Sequence, residues 1–233
     1  MQVRRAQSSD IPFIAWAMHE SMLPGVGRGI FDLALTETGV SPQAFHEALL
    51  RADANNWGGL HDFLILEDGA RQPMGAAAGY KPDAEDLRPL TAKGFRAVSE
   101  ALRWPLEVSR KFWQRYVSAF GFFGNAPKLA QPADYVIEYV AISPAHRGKG
   151  LVRMLLDAHA QRARRQGCPS LGISAMVGND IALKAYLKYG FSPCVTLGRD
   201  ELGDAFPGII RLMLKLEPVL SKRQEDVLHD IDI

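Results

Sequence analysis

The chain has 233 residues, which is the length of one large domain or two small ones. Hydrophobic residues make up 47% of the chain and charged residues 23%, and 27 lysines and arginines nearly balance 26 aspartates and glutamates, for a net charge of +1. This composition is typical of a globular protein and excludes a disordered or fibrous chain. The near-neutral charge also argues against nucleic acid or an anionic membrane as a partner.

Cysteine spacing and hydropathy exclude further classes. Cys168 and Cys194 form neither a CxxC pair nor a zinc-binding pattern, so we expect no disulfide scaffold and no metal. Arg4 and Arg5 precede no apolar run, so we predict no secretory signal. No stretch approaches the roughly 18 apolar residues of a membrane-spanning helix. These features predict a cytoplasmic protein.

Apolar periodicity predicts the elements of the first part of the chain. We predict a strand at 2–5, a helix that begins after Ser9-Asp10, a helix that begins at Ser41-Pro42, and a hairpin of strands at 61–66 and 74–80.

The second part of the chain continues this alternation. Tyr135–Ile142, which reads YVIEYVAI, is the strongest strand prediction because of its β-branched and aromatic residues. The remaining predicted elements are a helix at 151–166, a strand at 171–175, a helix at 180–189, strands at 191–196 and 208–216, and a charged tail at 217–233.

Residues 81–132 interrupt the α/β pattern. We predict two helices there, Thr91–Arg103 and Pro105–Phe120, as an insertion within one domain of residues 1–233. The second helix and its flanks are dense in aromatic residues: Trp104, Phe112, Trp113, Tyr116, Phe120, Phe122 and Phe123. One hypothesis is that these aromatics wall a substrate site. The alternatives are a helical hairpin that completes the core or a contact in a homodimer.

A basic, glycine-containing loop follows the strongest strand. Gly148 and Gly150 let backbone N–H groups close around an anion, and the N-terminus of the next helix adds unpaired donors. His146, Arg147, Lys149 and Arg153 add positive charge to this phosphate cradle. The loop lacks the Lys-Ser/Thr of a nucleotide-binding P-loop and the third glycine of a dinucleotide fingerprint.

The loop resembles the acetyl-CoA loop of the GCN5-related N-acetyltransferase (GNAT) superfamily, Arg/Gln-x-x-Gly-x-Gly/Ala after a strand that ends in Val-x-Pro. Here Val140–Pro144 leads to Arg147-Gly-Lys-Gly-Leu-Val152, with Val152 where glycine or alanine is usual. A second segment, Asn179–Phe191, resembles the family's Asn-x-x-Ala-x-x-x-Tyr-x-x-x-Gly-Phe. The resemblance covers residues 1–80 and 133–216.

The resemblance implies a fold and a set of cofactor-binding residues. The implied fold is a mixed α/β (α+β) domain, with a mostly antiparallel central sheet flanked by helices, and the strand before the loop splayed from its neighbour. Acetyl-CoA is the implied co-substrate. Its implied contacts are Val140, Ala141 and Ile142 at the thioester, Arg147, Gly148, Lys149, Gly150, Leu151, Val152 and Arg153 at the pyrophosphate, and Asn179 and Tyr186 farther along.

Tyr186 is the general acid that the resemblance implies, since a nearby phenol can protonate the leaving thiolate. The alternative is a packing tyrosine. Asn179 is explained equally well as a helix cap.

Glu138 is the candidate general base because it interrupts an otherwise apolar strand. Strict alternation places it on the face of Val136, Val140 and Ile142, where burial would raise its pKa into a useful range. The alternative is a carboxylate held in a salt bridge. His146 and Asp134 are weaker candidates for the base.

Together these features predict an acetyl-CoA-dependent N-acetyltransferase. A primary amine, of a small molecule or a peptide, would attack the thioester directly in a ternary complex, without a metal or a covalent acyl-enzyme. The alternative is a catalytically silent CoA- or acyl-CoA-binding sensor or structural module.

Overall fold

The computed structural model describes residues 1–25, 27–82, 87–120, 131–203 and 206–217. The strands are β1 (Gln2–Arg5), β2 (Phe63–Glu67), β3 (Pro73–Tyr80), β4 (Tyr135–Ile142), β5 (Ser170–Met176), β6 (Ser192–Leu197) and β7 (Ile209–Lys215). The helices are α1 (Ile11–Met22), α2 (Asp32–Leu35), α3 (Pro42–Arg51), α4 (Ala92–Ala101), α5 (Leu106–Phe120), α6 (Val152–Arg165), α7 (Asp180–Tyr189) and α8 (Arg199–Leu202). Apart from Glu217, the predicted tail lies outside the described residues.

The strands form one sheet in the order β1-β2-β3-β4-β5-β7-β6, and the pairs are antiparallel except for β4 with β5. One face of the sheet, called the first face, packs against α1, α3 and α5, with buried residues such as Ile14, Phe45 and Phe112. The second face packs against α6 and α7 through Leu155 and Tyr186. This arrangement confirms the predicted mixed sheet flanked by helices. Within the described ranges, no helix is long and apolar enough to cross a membrane.

Most element boundaries agree with the sequence, and the differences have local causes. The predicted strand at 61–66 begins at Phe63, because residues 60–62 form a 3-10 turn. Asp10 precedes α1 as predicted, yet its carboxylate accepts bonds from Arg4 and from the Gln7 amide rather than from the first turn of the helix. The short helices α2 and α8 were not predicted.

Helix α6 is fixed to the sheet by a buried histidine. One ring nitrogen of His159, Nδ1, lies 3.0 Å from the Tyr135 hydroxyl, and the other lies 3.2 Å from the Ala77 carbonyl. Burial lowers the pKa of His159 to about 3, so the ring stays neutral. Gly79 is required beside it, because an added Cβ would come within 2.3 Å of His159 Nδ1. These contacts fix the position of the loop that precedes α6.

The aromatic insertion completes the core of the first face. In α5, Phe112, Tyr116 and Phe120 are buried. Phe112 packs on Phe45 with ring centroids 5.1 Å apart, and Tyr116 stacks on Phe31 at 5.8 Å. The structure thus supports the hairpin that completes the core, although the end of α5 also reaches the cavity described below. Phe122 and Phe123 lie outside the described residues.

The core role of α5 predicts a large loss of stability on truncation. Phe112→Ala removes a fully buried ring, so we expect the free energy of unfolding to fall by about 3–5 kcal/mol in chemical denaturation. Leu106→Ala, on the same helix but 73% exposed, is the control and should change it by less than about 0.5 kcal/mol. Equal effects of the two substitutions would contradict a core role for the insertion.

Candidate active site

Strands β4 and β5 separate partway along their length. Residues Tyr135–Ile137 pair with Leu171–Ile173. Beyond this point, β4 continues to pair with β3, and β5 continues to pair with β7. Because each strand keeps its outer neighbour, the two inner edges open a gap within the sheet. This gap is the splaying that the family resemblance implied.

Strand β4 carries one extra residue beside the gap. Ala78 pairs with Glu138 and Ala76 pairs with Ala141, so one residue of β3 lies opposite two residues of β4. This arrangement is a β-bulge. Its first residue, Tyr139, has a φ of 56°, a left-handed conformation that a tyrosine rarely adopts.

The side chain of Tyr139 holds this backbone conformation in place. Its hydroxyl donates a hydrogen bond to Asn55 Oδ1 at 3.2 Å, and its ring stacks on Phe63 with centroids 6.1 Å apart. Tyr139 is 1% exposed and belongs to the core of the first face. The packing of that core therefore stabilises the bulge.

The bulge changes which residues share a face with Glu138. Val140 and Ile142 pack against the second face, whereas Tyr139 and Ala141 pack against the first. The predicted grouping of Glu138 with Val140 and Ile142 is wrong, because the extra residue shifts the alternation by one position. Glu138 itself projects on the first face, into the gap.

A cavity of about 690 Å³ occupies the gap and joins the two sides of the sheet. Many of the residues that the sequence singled out line it. They are Glu138, Val140, Ala141, Ile142, His146, Arg147, Gly148, Gly150, Leu151, Val152, Asn179 and Tyr186. Lys149, Arg153 and Asp134 are not among the lining residues. Asp134 instead receives a hydrogen bond from the hydroxyl of Ser170 at the far end of β4.

The loop before α6 has the geometry of an anion cradle. Gly148 and Gly150 have φ values of 75° and 71°, and a Cβ added at either position would meet nothing within 4 Å. The Arg153 amide bonds to the Gly150 carbonyl at 3.2 Å, so the loop runs directly into the first turn of α6. Two open glycines thus lie directly before the N-terminus of a helix, an arrangement that is typical of anion-binding loops.

The basic side chains of this loop bond to nearby protein groups. Arg147 donates to Glu20 at 2.6 Å and to the Ile142 carbonyl at 3.0 Å. Lys149 donates to the Ala145 carbonyl at 3.2 Å. The side chains thus fix the loop and add positive charge.

Tyr186 and Asn179 lie where α7 borders the cavity. Asn179 caps the helix, since its side-chain oxygen accepts a hydrogen bond from the Ala182 amide at 3.2 Å. Tyr186 is 6% exposed and packs edge-on against Phe191. Burial, together with the charge of Glu138, raises the pKa of Tyr186 above its usual value. The phenol therefore stays protonated at neutral pH.

Glu138 lines the same cavity as Tyr186, and its pKa is strongly shifted. Burial raises the pKa of Glu138 to about 7, against an opposing effect of the Arg211 guanidinium, which lowers it. The carboxyl group therefore titrates near neutral pH, the range in which a general base can both accept and release a proton.

Arg211 and several other lining residues belong to none of the predicted motifs. Arg211 lies on β7, opposite Ser174 of β5 in the strand register, and it is 6% exposed. The signal was present, since Arg211 is a charged residue within the apolar strand IIRLMLK, just as Glu138 interrupts YVIEYVAI. The first-face side of the cavity is further lined by residues from separate segments: Met22, Arg28, Leu33, Trp57, Tyr80, Phe120 and Phe206.

The described lining of the cavity contains no cysteine. Cys168 is buried elsewhere, and Cys194 is exposed on β6. Within the described ranges, no cluster of His, Cys, Asp and Glu side chains is arranged to hold a metal ion.

Comparisons with known proteins identify the family. The model of the acetyltransferase (GNAT) family matches residues 30–191. A streptothricin acetyltransferase of Streptomyces lavendulae is 38% identical over 58 residues, which are 25% of this chain and 31% of that protein. The chain thus spans about a third of that relative's length.

Solved structures share the fold. An N-acetyltransferase from Staphylococcus aureus Mu50 superposes with a TM-score of 0.63 at 21% identity, covering 92% of this chain and 100% of that one. A GNAT phosphinothricin acetyltransferase from Sinorhizobium meliloti, in complex with acetyl-CoA, gives a TM-score of 0.52 at 15% identity, covering 95% and 91%.

The family match extends over more than half of the chain and contains both the glycine loop and the Asn179–Phe191 segment. It confirms the family that the motifs predicted. The chain belongs to the GNAT acetyltransferase family.

Proposed function

We propose that this protein transfers an acetyl group from acetyl-CoA to a primary amine by direct attack in a ternary complex. The observation that supports the proposal is that residues of the glycine loop, Tyr186 and Glu138 all line the cavity in the gap of the sheet. The acceptor is a small-molecule amine or a peptide amine. The two free cysteines support a reducing compartment, the cytoplasm.

Acetyl-CoA would be held by the residues that line the second-face side of the cavity. The amides of Gly148, Gly150 and the start of α6 would bind its diphosphate, with charge from Arg147. The edge of β4 from Val140 to Ile142 would lie along its pantetheine arm. When bound, acetyl-CoA supplies an activated acetyl thioester.

Glu138 would accept the proton that an ammonium group must lose before it can attack. An alkyl ammonium has a pKa of roughly 10, so most of the amine arrives protonated at neutral pH. A carboxylate with a pKa of about 7 is a stronger base than an ordinary glutamate, and it faces the acceptor side of the gap.

Tyr186 would donate a proton to the leaving thiolate. It lies on α7, beside the loop, and its buried hydroxyl remains protonated. The backbone N–H groups of β4 between Val140 and Ile142 would polarise the thioester carbonyl, as donors in an oxyanion hole do. With Glu138 as the base and Tyr186 as the acid, direct attack needs no covalent acyl-enzyme.

Replacing the proposed acid should slow turnover without weakening cofactor binding. Tyr186→Phe keeps the ring and its packing, so we expect kcat at saturating acetyl-CoA to fall by about 10²–10⁴-fold. Tyr189→Phe on the same helix is the control, since its hydroxyl donates to Asp157 outside the cavity. Release of free thiol measures both. Unchanged turnover in Tyr186→Phe, with chemistry rate-limiting, would remove Tyr186 from the mechanism.

The pKa of Glu138 predicts the acid side of the pH profile. The base must be deprotonated, so kcat should rise with pH through about 7 and fall as Glu138 becomes protonated below it. Glu138→Gln should lower kcat and abolish this limb of the profile. Asp134→Asn, a carboxylate outside the cavity, should keep the profile intact. A Glu138→Gln enzyme with the wild-type pH profile would assign the limb to another group.

The cradle can be tested by binding alone. Gly150→Val places a side chain in the open space of the loop, at a position whose left-handed φ a valine disfavours. We therefore expect the affinity for acetyl-CoA to fall at least about tenfold in calorimetry. Gly167→Val is a matched control, because Gly167 has a φ of 71° and equally open surroundings at the other end of α6. Both variants should lose similar stability. Equal affinities would contradict the assignment of the loop.

A further inference from the structure

The first-face wall of the cavity carries a row of polar side chains. Ile137 pairs with Ile173, so the next residues, Glu138 and Ser174, lie on either side of the opening gap, and Ser174 is paired with Arg211. Because side chains alternate along a strand, all three project on the same face. Glu138, Ser174 and Arg211 therefore form one line across β4, β5 and β7, and each lines the cavity.

The spacing of this row suits a small molecule with two opposite charges. Neighbouring strands lie about 4.8 Å apart, so the backbones of β4 and β7 are separated by about 10 Å or more across the gap. The side chains of Glu138 and Arg211 both extend into the cavity, so their charged groups lie closer together than the two backbones do. An acceptor whose amine and acid groups are a few bonds apart can contact Glu138 and Arg211 together.

The electrostatics of Arg211 favour an anionic group on the acceptor. Burial lowers the pKa of Arg211, and the charge of Glu138 raises it. Arg211 is buried and lines the cavity, so its positive charge attracts an anionic group on the acceptor, and a carboxylate can accept charge-assisted hydrogen bonds from a guanidinium.

The rest of the acceptor side is apolar. Trp57, Tyr80, Phe120 and Phe206 present aromatic surface, and Leu33 adds an aliphatic side chain. Such a wall favours an acceptor with an apolar body.

We propose that the acceptor is an amino carboxylate with an apolar side group, whose amine faces Glu138 and whose carboxylate binds the guanidinium of Arg211. Arg211 is thereby a specificity-determining residue. This inference rests on the proposed acetyl transfer and adds the class of acceptor to it.

A matched pair of amines tests the inference on the wild-type enzyme. Phenylalanine and phenethylamine share the ring and the amine, and only the first has a carboxylate. We expect kcat/KM for phenylalanine to exceed that for phenethylamine by at least about tenfold, measured by thiol release from acetyl-CoA. Spermidine, a polycation, should be the poorest of the three. A preference for phenethylamine or spermidine would overturn the inference.

Substitution of Arg211 should remove the preference. Arg211→Met should bring the phenylalanine-to-phenethylamine ratio close to one, and Arg211→Lys should retain part of it because the positive charge remains. Arg165→Met, at the exposed end of α6, is the matched control and should leave the ratio unchanged. Circular dichroism and acetyl-CoA affinity verify folding. If Arg211→Met does not fold, Arg211→Lys provides the test. The KM of this variant should rise for phenylalanine but not for phenethylamine.

The outcomes separate this inference from the proposed function. Turnover without a preference for the carboxylate, or a preference that survives Arg211→Met, overturns the inference and leaves acetyl transfer standing. Acetyl-CoA affinity without turnover of phenylalanine also overturns it. A wild-type protein with no affinity for acetyl-CoA overturns the proposed function itself.

Discussion

The early end of hydrogen bonding between β4 and β5 is the constraint on which the candidate site depends. Beyond Ile137 and Ile173 the two parallel strands diverge, and each is held by an antiparallel neighbour, β3 or β7. The sheet can therefore open without losing its order. A continuous sheet would separate the glycine loop on one face from Glu138 on the other, whereas the gap joins them in one cavity.

The site is supported by the core rather than by the loop alone. Tyr139, the strained residue of the bulge, is held by Asn55 and Phe63 within the aromatic core of the first face. The insertion contributes Phe112 to the same core and Phe120 to the cavity wall. The insertion thus supports the bulge through shared packing and also lines the first-face side of the cavity.

Local geometry explains which parts of the site could be predicted. Gly148 and Gly150 adopt left-handed conformations, and Asn179 caps α7, because these are properties of residues close together in the chain. Arg211 and Trp57 come from segments far from the loop, and no local pattern links them to it. Glu138, the candidate base, lines the cavity, but the prediction that it shares a face with Val140 and Ile142 is wrong.

By itself, the sequence determined the family, the strand–loop–helix cradle and the position of Tyr186, since each lies within a contiguous motif whose backbone geometry follows from its own residues. Only the tertiary structure decided the bulge at Tyr139, the gap beside it and the row from Glu138 to Arg211. The physical reason is that strand register is set by pairing between distant segments. One extra residue in β4, opposite β3, reverses which face every following side chain occupies.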